Sequence, residues 1–316
     1  MRVFLALTLV LCALLSVSAC AVQKEIFGLY GGGFRIQRYD VTNNTFQDCG
    51  PTMGSNFNTN LAMDANRRLY YMHPFDYGHV IWQADLDSGN QLVNQQIHDT
   101  LTPGLSIIDG FTIGPDQNLY MTGYGHSEIY RYIIGSMAGS AATEVTLVPG
   151  SLGTGEFRSD LAFDPISGYL VGIGIVPDGT GRRSLFQVPA AIVMNGVNDN
   201  YTWEYFGGNS SPWVSVDLGS PTNPGGPLGP NPDGVAFDPT NGVLYLSGDG
   251  EKFSLWNRST ATLVNYLNGS SGGDTGMGYD LAFQTTKDYI IPEPSSLLAL
   301  LTGVGAFVGL AARKRR

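Results

Sequence analysis

The chain has 316 residues, 43% of them hydrophobic, and only 14% charged where soluble domains carry roughly 25%. With 42 glycines, near twice the usual share of roughly 7%, this composition excludes a disordered chain, a coiled coil and a helical bundle, and leaves enough chain for a large core. The net charge of −10 is uneven: Arg2, Arg313, Lys314, Arg315 and Arg316 lie at the ends, so residues between them set twelve bases against 27 acids, a net of −15 that repels phosphate backbones and argues against a nucleic-acid partner.

Residues 1–21 read as a secretory signal peptide: Arg2, an apolar run from Val3 to Leu15, then small residues. Ala19-Cys20-Ala21 fits a small-x-small cleavage site that would start the mature chain at Val22. Val17-Ser18-Ala19-Cys20 is the competing reading, a lipobox with lipid on Cys20. Cleavage removes Cys12 and Cys20 and leaves Cys49 alone, so no intramolecular disulfide framework is expected, although the chain is exported.

Residues 22–291 repeat one phrase. It opens at Leu61, Phe111, Leu161, Val235 and Leu281, at spacings of 50, 50, 74 and 46, as in LAFDPISGYLVGI and VAFDPTNGVLYLS. Each phrase predicts two short strands around a tight turn. In Asp164-Pro165-Ile166-Ser167-Gly168 and Asp238-Pro239-Thr240-Asn241-Gly242, Pro presets φ and Gly or Asn accepts positive φ. A second phrase supplies a third strand at Ile36–Asp40, Ile81–Asp85, Ile129–Tyr132, Leu185–Val188 and Leu255–Asn257, and polar turns such as Leu86–Gly89 lead to a fourth. Four strands per repeat predict an all-β propeller. The body starts at a second strand, Glu25–Tyr30, and ends on a spare first strand at Leu281, so these two pieces should complete one blade and close the ring. Five signatures give five blades. The six prolines of the 207–232 stretch read as a loop insertion, with six blades as the alternative if Trp213–Leu218 is a remnant strand.

Residues 292–316 carry Pro292-Glu293-Pro294, two serines, an apolar run from Leu297 to Ala312 and a basic cluster of Arg313, Lys314, Arg315 and Arg316. The 16-residue run spans roughly 24 Å as a helix, short of the roughly 30 Å hydrocarbon core unless its flanks help, and the basic cluster should stay cytoplasmic. These three elements in order resemble the PEP-CTERM sorting signal. The resemblance implies passage through the Sec translocon, anchoring in the inner membrane of a Gram-negative bacterium, recognition by an exosortase with cleavage near Pro292–Pro294, and a cell-surface or biofilm-matrix destination among exopolysaccharide and matrix proteins. The LAFDP phrase resembles, more loosely, the NHL, YWTD and gluconolactonase-like propellers, which host lyases, lactonases, glycan binders and scaffolds alike.

Candidate chemistry gathers where the first strands begin. Asn60, Asp109, Asp160, Asp233 and Asp280 precede them and would ring one mouth of the channel. There they would either hold calcium or another divalent cation by oxygen ligands or fix turns by bonding backbone N–H groups. His79 and His126, each after a Gly just before a third strand, are weaker candidates for a metal or acid–base role. Zincin, Cys-x-x-Cys and P-loop motifs are missing from the sequence. The favoured expectation is a non-enzymatic binding or structural module; the rival is a metal-dependent hydrolase or lyase acting on a carbohydrate or lactone.

Overall fold

The computed structural model describes residues 25–30, 35–53, 60–72, 80–101, 108–123, 129–134, 145–148, 150–151, 157–176, 178–195, 201–208, 218, 232–239, 241–248, 252–257, 260, 262–268 and 281–284. The leader, the Pro292–Arg316 tail, His79, His126 and Asp280 lie outside them.

Four antiparallel sheets follow the repeats in order. The first blade is β4 (Asn60–Met63), β5 (Leu69–Met72), β6 (Val80–Leu86) and β7 (Leu92–Thr100); the second is β8 (Ile108–Ile113), β9 (Leu119–Gly123), β10 (Ile129–Tyr132) and β11 (Val145–Val148). The third is β13 (Phe157–Asp164), β14 (Tyr169–Ile175), β15 (Arg183–Pro189) and β17 (Glu204–Tyr205); the fourth is β18 (Pro232–Phe237), β19 (Leu244–Gly248), β20 (Lys252–Asn257) and β21 (Thr262–Asn268). The fifth joins the two ends of the body: β22 (Leu281–Phe283) pairs β1 (Glu25–Tyr30), which leads to β2 (Arg35–Asp40) and β3 (Thr45–Pro51). The structure is thus an all-β propeller of five four-stranded blades, closed as the incomplete first and last repeats require.

Strand periodicity explains the apolar runs. Successive side chains point to opposite faces, and a blade packs on a neighbour through each face. On β5, Tyr70 and Met72 enter the seam with the second blade, while Leu69 and Tyr71 enter the seam with the closing blade. On β19, Leu244 and Leu246 pack toward the third blade and Tyr245 toward β22 and β1. Among the described residues, five apolar clusters occupy the five seams.

The turns between first and second strands come in two lengths, closed by an N–H four residues on in the third and fourth blades and three residues on in the first and second. Gly168 (φ 72°) and Gly242 (φ 66°) take the left-handed position in two of them, as the sequence suggests. In the other two the left-handed residues are Arg67 (φ 65°) and Gln117 (φ 63°), at a conformational cost of roughly 1–2 kcal/mol each. Both reach across seams. Arg67 Nη2 donates to Glu25 Oε2 at 3.1 Å and to Asn90 Oδ1 at 2.7 Å, and Gln117 Oε1 accepts from the Ala65 N–H at 3.1 Å. The side-chain contacts offset the backbone strain.

The third blade departs from the expected pattern. Its outer strand β17 is two residues long, because after β15 the chain forms a short helix, α1 (Ala190–Asn195), then β16 (Tyr201–Thr202), which pairs in parallel with β12 (Gly150–Ser151). Ala190 and Val193 seat the helix in the seam with the second blade, and Arg131 of β10 donates to the Met194 carbonyl. The long spacing is therefore filled in part by a strap between two blades. Of the Pro-rich insertion, Leu218 is buried against the third and fourth blades, and its N–H donates to the Arg183 carbonyl at 2.9 Å. The rest of Trp213–Leu218 lies outside the described residues; the five sheets account for the blades without it.

Candidate functional site: the central channel

The five innermost strands, β4, β8, β13, β18 and β22, line a channel of about 490 Å³, its open mouth included. Its walls are the repeated phrases themselves: Leu61, Leu161, Val235 and Leu281 at one level, then Ala62, Thr112, Ala162, Ala236 and Ala282, then Met63, Ile113, Phe163, Phe237 and Phe283. Pro115, Pro239 and Gln284 line the end nearest the first-to-second-strand turns. The channel's named lining side chains are almost all apolar, and none is acidic.

The described acidic positions precede that apolar wall along β8, β13 and β18. Asp109, Asp160 and Asp233 fall where the register of the first hairpin shifts, between Ile108 and Gly110, Phe157 and Leu161, and Pro232 and Val235. Such bulges set an extra residue against the partner strand and re-aim it. The five positions are also not equivalent. Asn60, Asp160 and Asp280 come one residue before the apolar start, whereas Asp109 and Asp233 come two before it. The side chains of Asp109 and Asp233 lie outside the description, as does all of Asp280.

Asp160 is completely buried. Its Oδ1 accepts the Leu161 N–H at 2.7 Å, and its Oδ2 accepts the N–H groups of Val235 at 3.1 Å and Leu281 at 3.2 Å. One carboxylate thus ties the innermost strands of the third, fourth and fifth blades together. Asn60, also buried, donates through Nδ2 to the Ile108 carbonyl at 3.1 Å and ties the first blade to the second. Of the two alternatives for this ring, the bonding of backbone N–H groups describes Asp160; among the described residues no group of three or more His, Cys, Asp or Glu could hold a metal ion.

The opposite end has its own polar stitching. Asp64 Oδ1 accepts the Asn66 and Arg68 N–H groups, and Asp164 Oδ1 accepts the Ile166 N–H, so these carboxylates cap their own turns. Gln284 Nε2 donates to the Ala65 carbonyl at 2.8 Å, and an isolated bridge links Gln284 to Met63, joining the closing strand to the first blade. Glu25 accepts from Arg38 and Arg67 beside them. Sequence reasoning missed this network, because its members are single residues in different repeats with no shared spacing.

The turn between β14 and β15, Asp178–Arg182, lies at the strand ends on the Asp160 side. The Thr180 hydroxyl and N–H, with the Arg182 guanidinium, hold the Asp178 carboxyl down at about 2, so it is a solvated, self-satisfied turn. Sequence reasoning also passed over His98. Its ring stands edge-on to Tyr70 and Tyr132 in the seam between the first two blades, Nδ1 lies 2.6 Å from Gln83 Oε1, and burial lowers its pKa from 6.5.

No family model matches the chain, and no curated protein does. Among solved structures, the chain is similar to one titled as a nidogen/laminin complex, at 12% identity over 82% of this chain and 97% of that one, with a TM-score of 0.43. It is similar to a protein of unknown function from Bacteroides caccae at 13% identity, over 78% and 74% of the two chains, with a TM-score of 0.39. It is also similar to a protein from Lactobacillus plantarum at 16% identity, over 79% and 68%, with a TM-score of 0.37.

Proposed function

We propose that this chain is an exported propeller, held at the cell surface or in the extracellular matrix, that works as a binding or structural module. The observation that carries the choice is Asp160. A metal-dependent hydrolase or lyase at the channel mouth would need its oxygens for the ion, and they already accept three backbone N–H groups in a fully buried site. The channel wall agrees, since its named lining residues include no carboxylate or imidazole and only Thr112 and Gln284 as polar side chains. The address rests on the sequence: the leader of residues 1–21 and the tripartite tail from Pro292 to Arg316.

Export and sorting are tested by mass spectrometry of the protein recovered from a host with an active exosortase and from the same host lacking it. The reading expects a mature start near Val22 and a new C-terminus near Pro292–Pro294 in the first host alone. Identical, uncut chains from both would refute the sorting assignment. Binding is tested by titrating purified exopolysaccharide into the protein by calorimetry, in parallel with a turnover screen of lactones and glycans. Metal-dependent turnover would overturn the module reading.

A further inference from the structure

The closing blade is fastened to the first blade along its outer rim, where three glutamine amides cross between the outer strands β3 and β7. Gln47 of β3 donates through Nε2 to the Gly89 carbonyl at 2.7 Å, in the turn before β7. In the opposite direction, Gln91 donates to the Asp48 carbonyl at 2.9 Å and Gln95 of β7 to the Pro51 carbonyl at 3.1 Å. Gln95 also accepts: its Oε1 takes the Met53 N–H at 2.9 Å and the hydroxyl of fully buried Tyr71 at 2.7 Å. The ladder therefore runs from the turn before β7 to the exit of β3, and its last rung reaches into the core of the seam.

Under these rungs, Cys49, Leu61, Tyr71 and Ala84 share one buried cluster, with Trp82 and Leu92 packed against it. At the turn end, Arg67 bonds both Glu25 and Asn90. Because the donors come from both strands, lifting or sliding β3 off β7 breaks the rungs together. One exposed amide bond is a weak contact, but three in a row over an apolar cluster act jointly by keeping water out of the seam.

The rest of the closing blade is held differently. β22 is three residues long and pairs β1 at Ile26, Phe27 and Gly28, whereas β1 pairs β2 along all six of its residues and β2 pairs β3 along all six of its own. The further anchors of β22 are single contacts: the Leu281 N–H on Asp160, the Phe283 ring 5.4 Å from that of Tyr245, and the Gln284 amide on the Ala65 carbonyl.

We infer that the glutamine ladder is a clasp that makes β1–β3 and the first blade one cooperative unit, so that the ring opens by release of β22 while the seam between β3 and β7 stays shut. The order follows from what each opening exposes. Release of β22 gives up one short strand pairing and a few point contacts, whereas opening at β3 and β7 breaks the whole ladder and wets the cluster around Cys49 and Tyr71.

Hydrogen exchange and thiol labelling of the full chain test this order. Cys49 follows the Asp48 carbonyl that Gln91 holds and is itself buried, so its alkylation by iodoacetamide, read by mass spectrometry on its own peptide, reports opening of the seam between β3 and β7. In the wild-type protein, protection at Leu281–Phe283 is expected to be lower than at Ile36–Tyr39 by roughly tenfold or more. In the variant carrying Gln47→Ala, Gln91→Ala and Gln95→Ala, native-state alkylation of Cys49 should speed up roughly tenfold or more, with exchange at Leu281–Phe283 unchanged. Phe283→Leu should do the reverse, speeding exchange at Leu281–Phe283 while Cys49 reacts at the wild-type rate. Equal protection of the two wild-type segments overturns the order of opening, whatever the variants do. Cys49 alkylation that is unchanged in the triple variant, or that Phe283→Leu speeds as much as it speeds the exchange of β22, overturns the clasp.

Discussion

Replacing Asp160 by Ala isolates what one buried carboxylate does for the ring. The substitution removes the acceptor of three N–H groups, from Leu161, Val235 and Leu281, at 2.7, 3.1 and 3.2 Å, in a site with no exposure to water. A hydrogen bond to a charged acceptor contributes about 1.5–3 kcal/mol, and a buried donor left alone costs about 1–3 kcal/mol. Part of that gain only repays the desolvation of the carboxylate, which the Ala variant no longer incurs. The net loss should therefore be about 3–5 kcal/mol, which lowers Tm by roughly 6–20 °C at about 2–4 °C per kcal/mol for a domain of this size. Asp160→Asn keeps one acceptor oxygen but turns an N–H₂ toward a backbone donor, and should lose about 1–3 kcal/mol. Urea unfolding followed by tryptophan fluorescence measures both, and calcium and EDTA titrations of the wild-type protein are the control. An Asp160→Ala variant within about 0.5 kcal/mol of wild type, the usual effect of an uninvolved position, would refute the latch. So would a calcium-specific stabilisation near 2.7 kcal/mol at a hundred times Kd that the variant loses, because the oxygens would then belong to an ion.

Three further outcomes follow from the same geometry. Burial, the dominant influence, lowers the His98 pKa below its ordinary 6.5, with Asp99 and Asp64 opposing and Arg68 assisting. A group whose folded pKa is depressed contributes stability that is present above 6.5 and is lost as pH falls below that value. The seam between the first two blades should thus weaken under mild acid, and His98→Gln should flatten that part of a Tm-versus-pH profile; an unchanged slope would clear His98. The Cys49 thiol, pushed up to about 12 by burial and the neighbouring Asp48, should resist iodoacetamide at pH 8 until the protein unfolds. Rapid labelling of the native protein would contradict its placement in the closing seam. Gly168→Ala, at φ 72°, should cost about 1 kcal/mol in urea unfolding, and no change there would mean that the turn has another conformation.

The repeat architecture was legible in the sequence because a propeller blade is a local object. Its strands are consecutive, several of its turns carry Pro, Gly and Asn, and both faces of its inner strands are buried, which writes a recurring apolar phrase at spacings of 50, 50, 74 and 46. Closure was legible too, since a missing first strand at one end and a spare one at the other have a single joint solution. The third blade was less so. Neither a two-residue outer strand nor a six-residue helix leaves a periodic signal above its surroundings.

What the sequence could not specify is what each polar residue faces. Asn60, Asp160 and Asp280 each stand one residue before the apolar phrase. Whether such a ring gathers a cation or bonds backbone depends on which N–H groups converge on it from strands 75 and 121 residues away. The same holds for Arg67 in a left-handed turn, which is tolerable because Glu25 waits across the closing seam. Local pattern determined the blades, because strand and turn preferences act over a few residues. The ring as a whole decided the roles of Asp160, Glu25 and Gln284, because hydrogen-bond partners and desolvation are set by neighbours that only closure brings together.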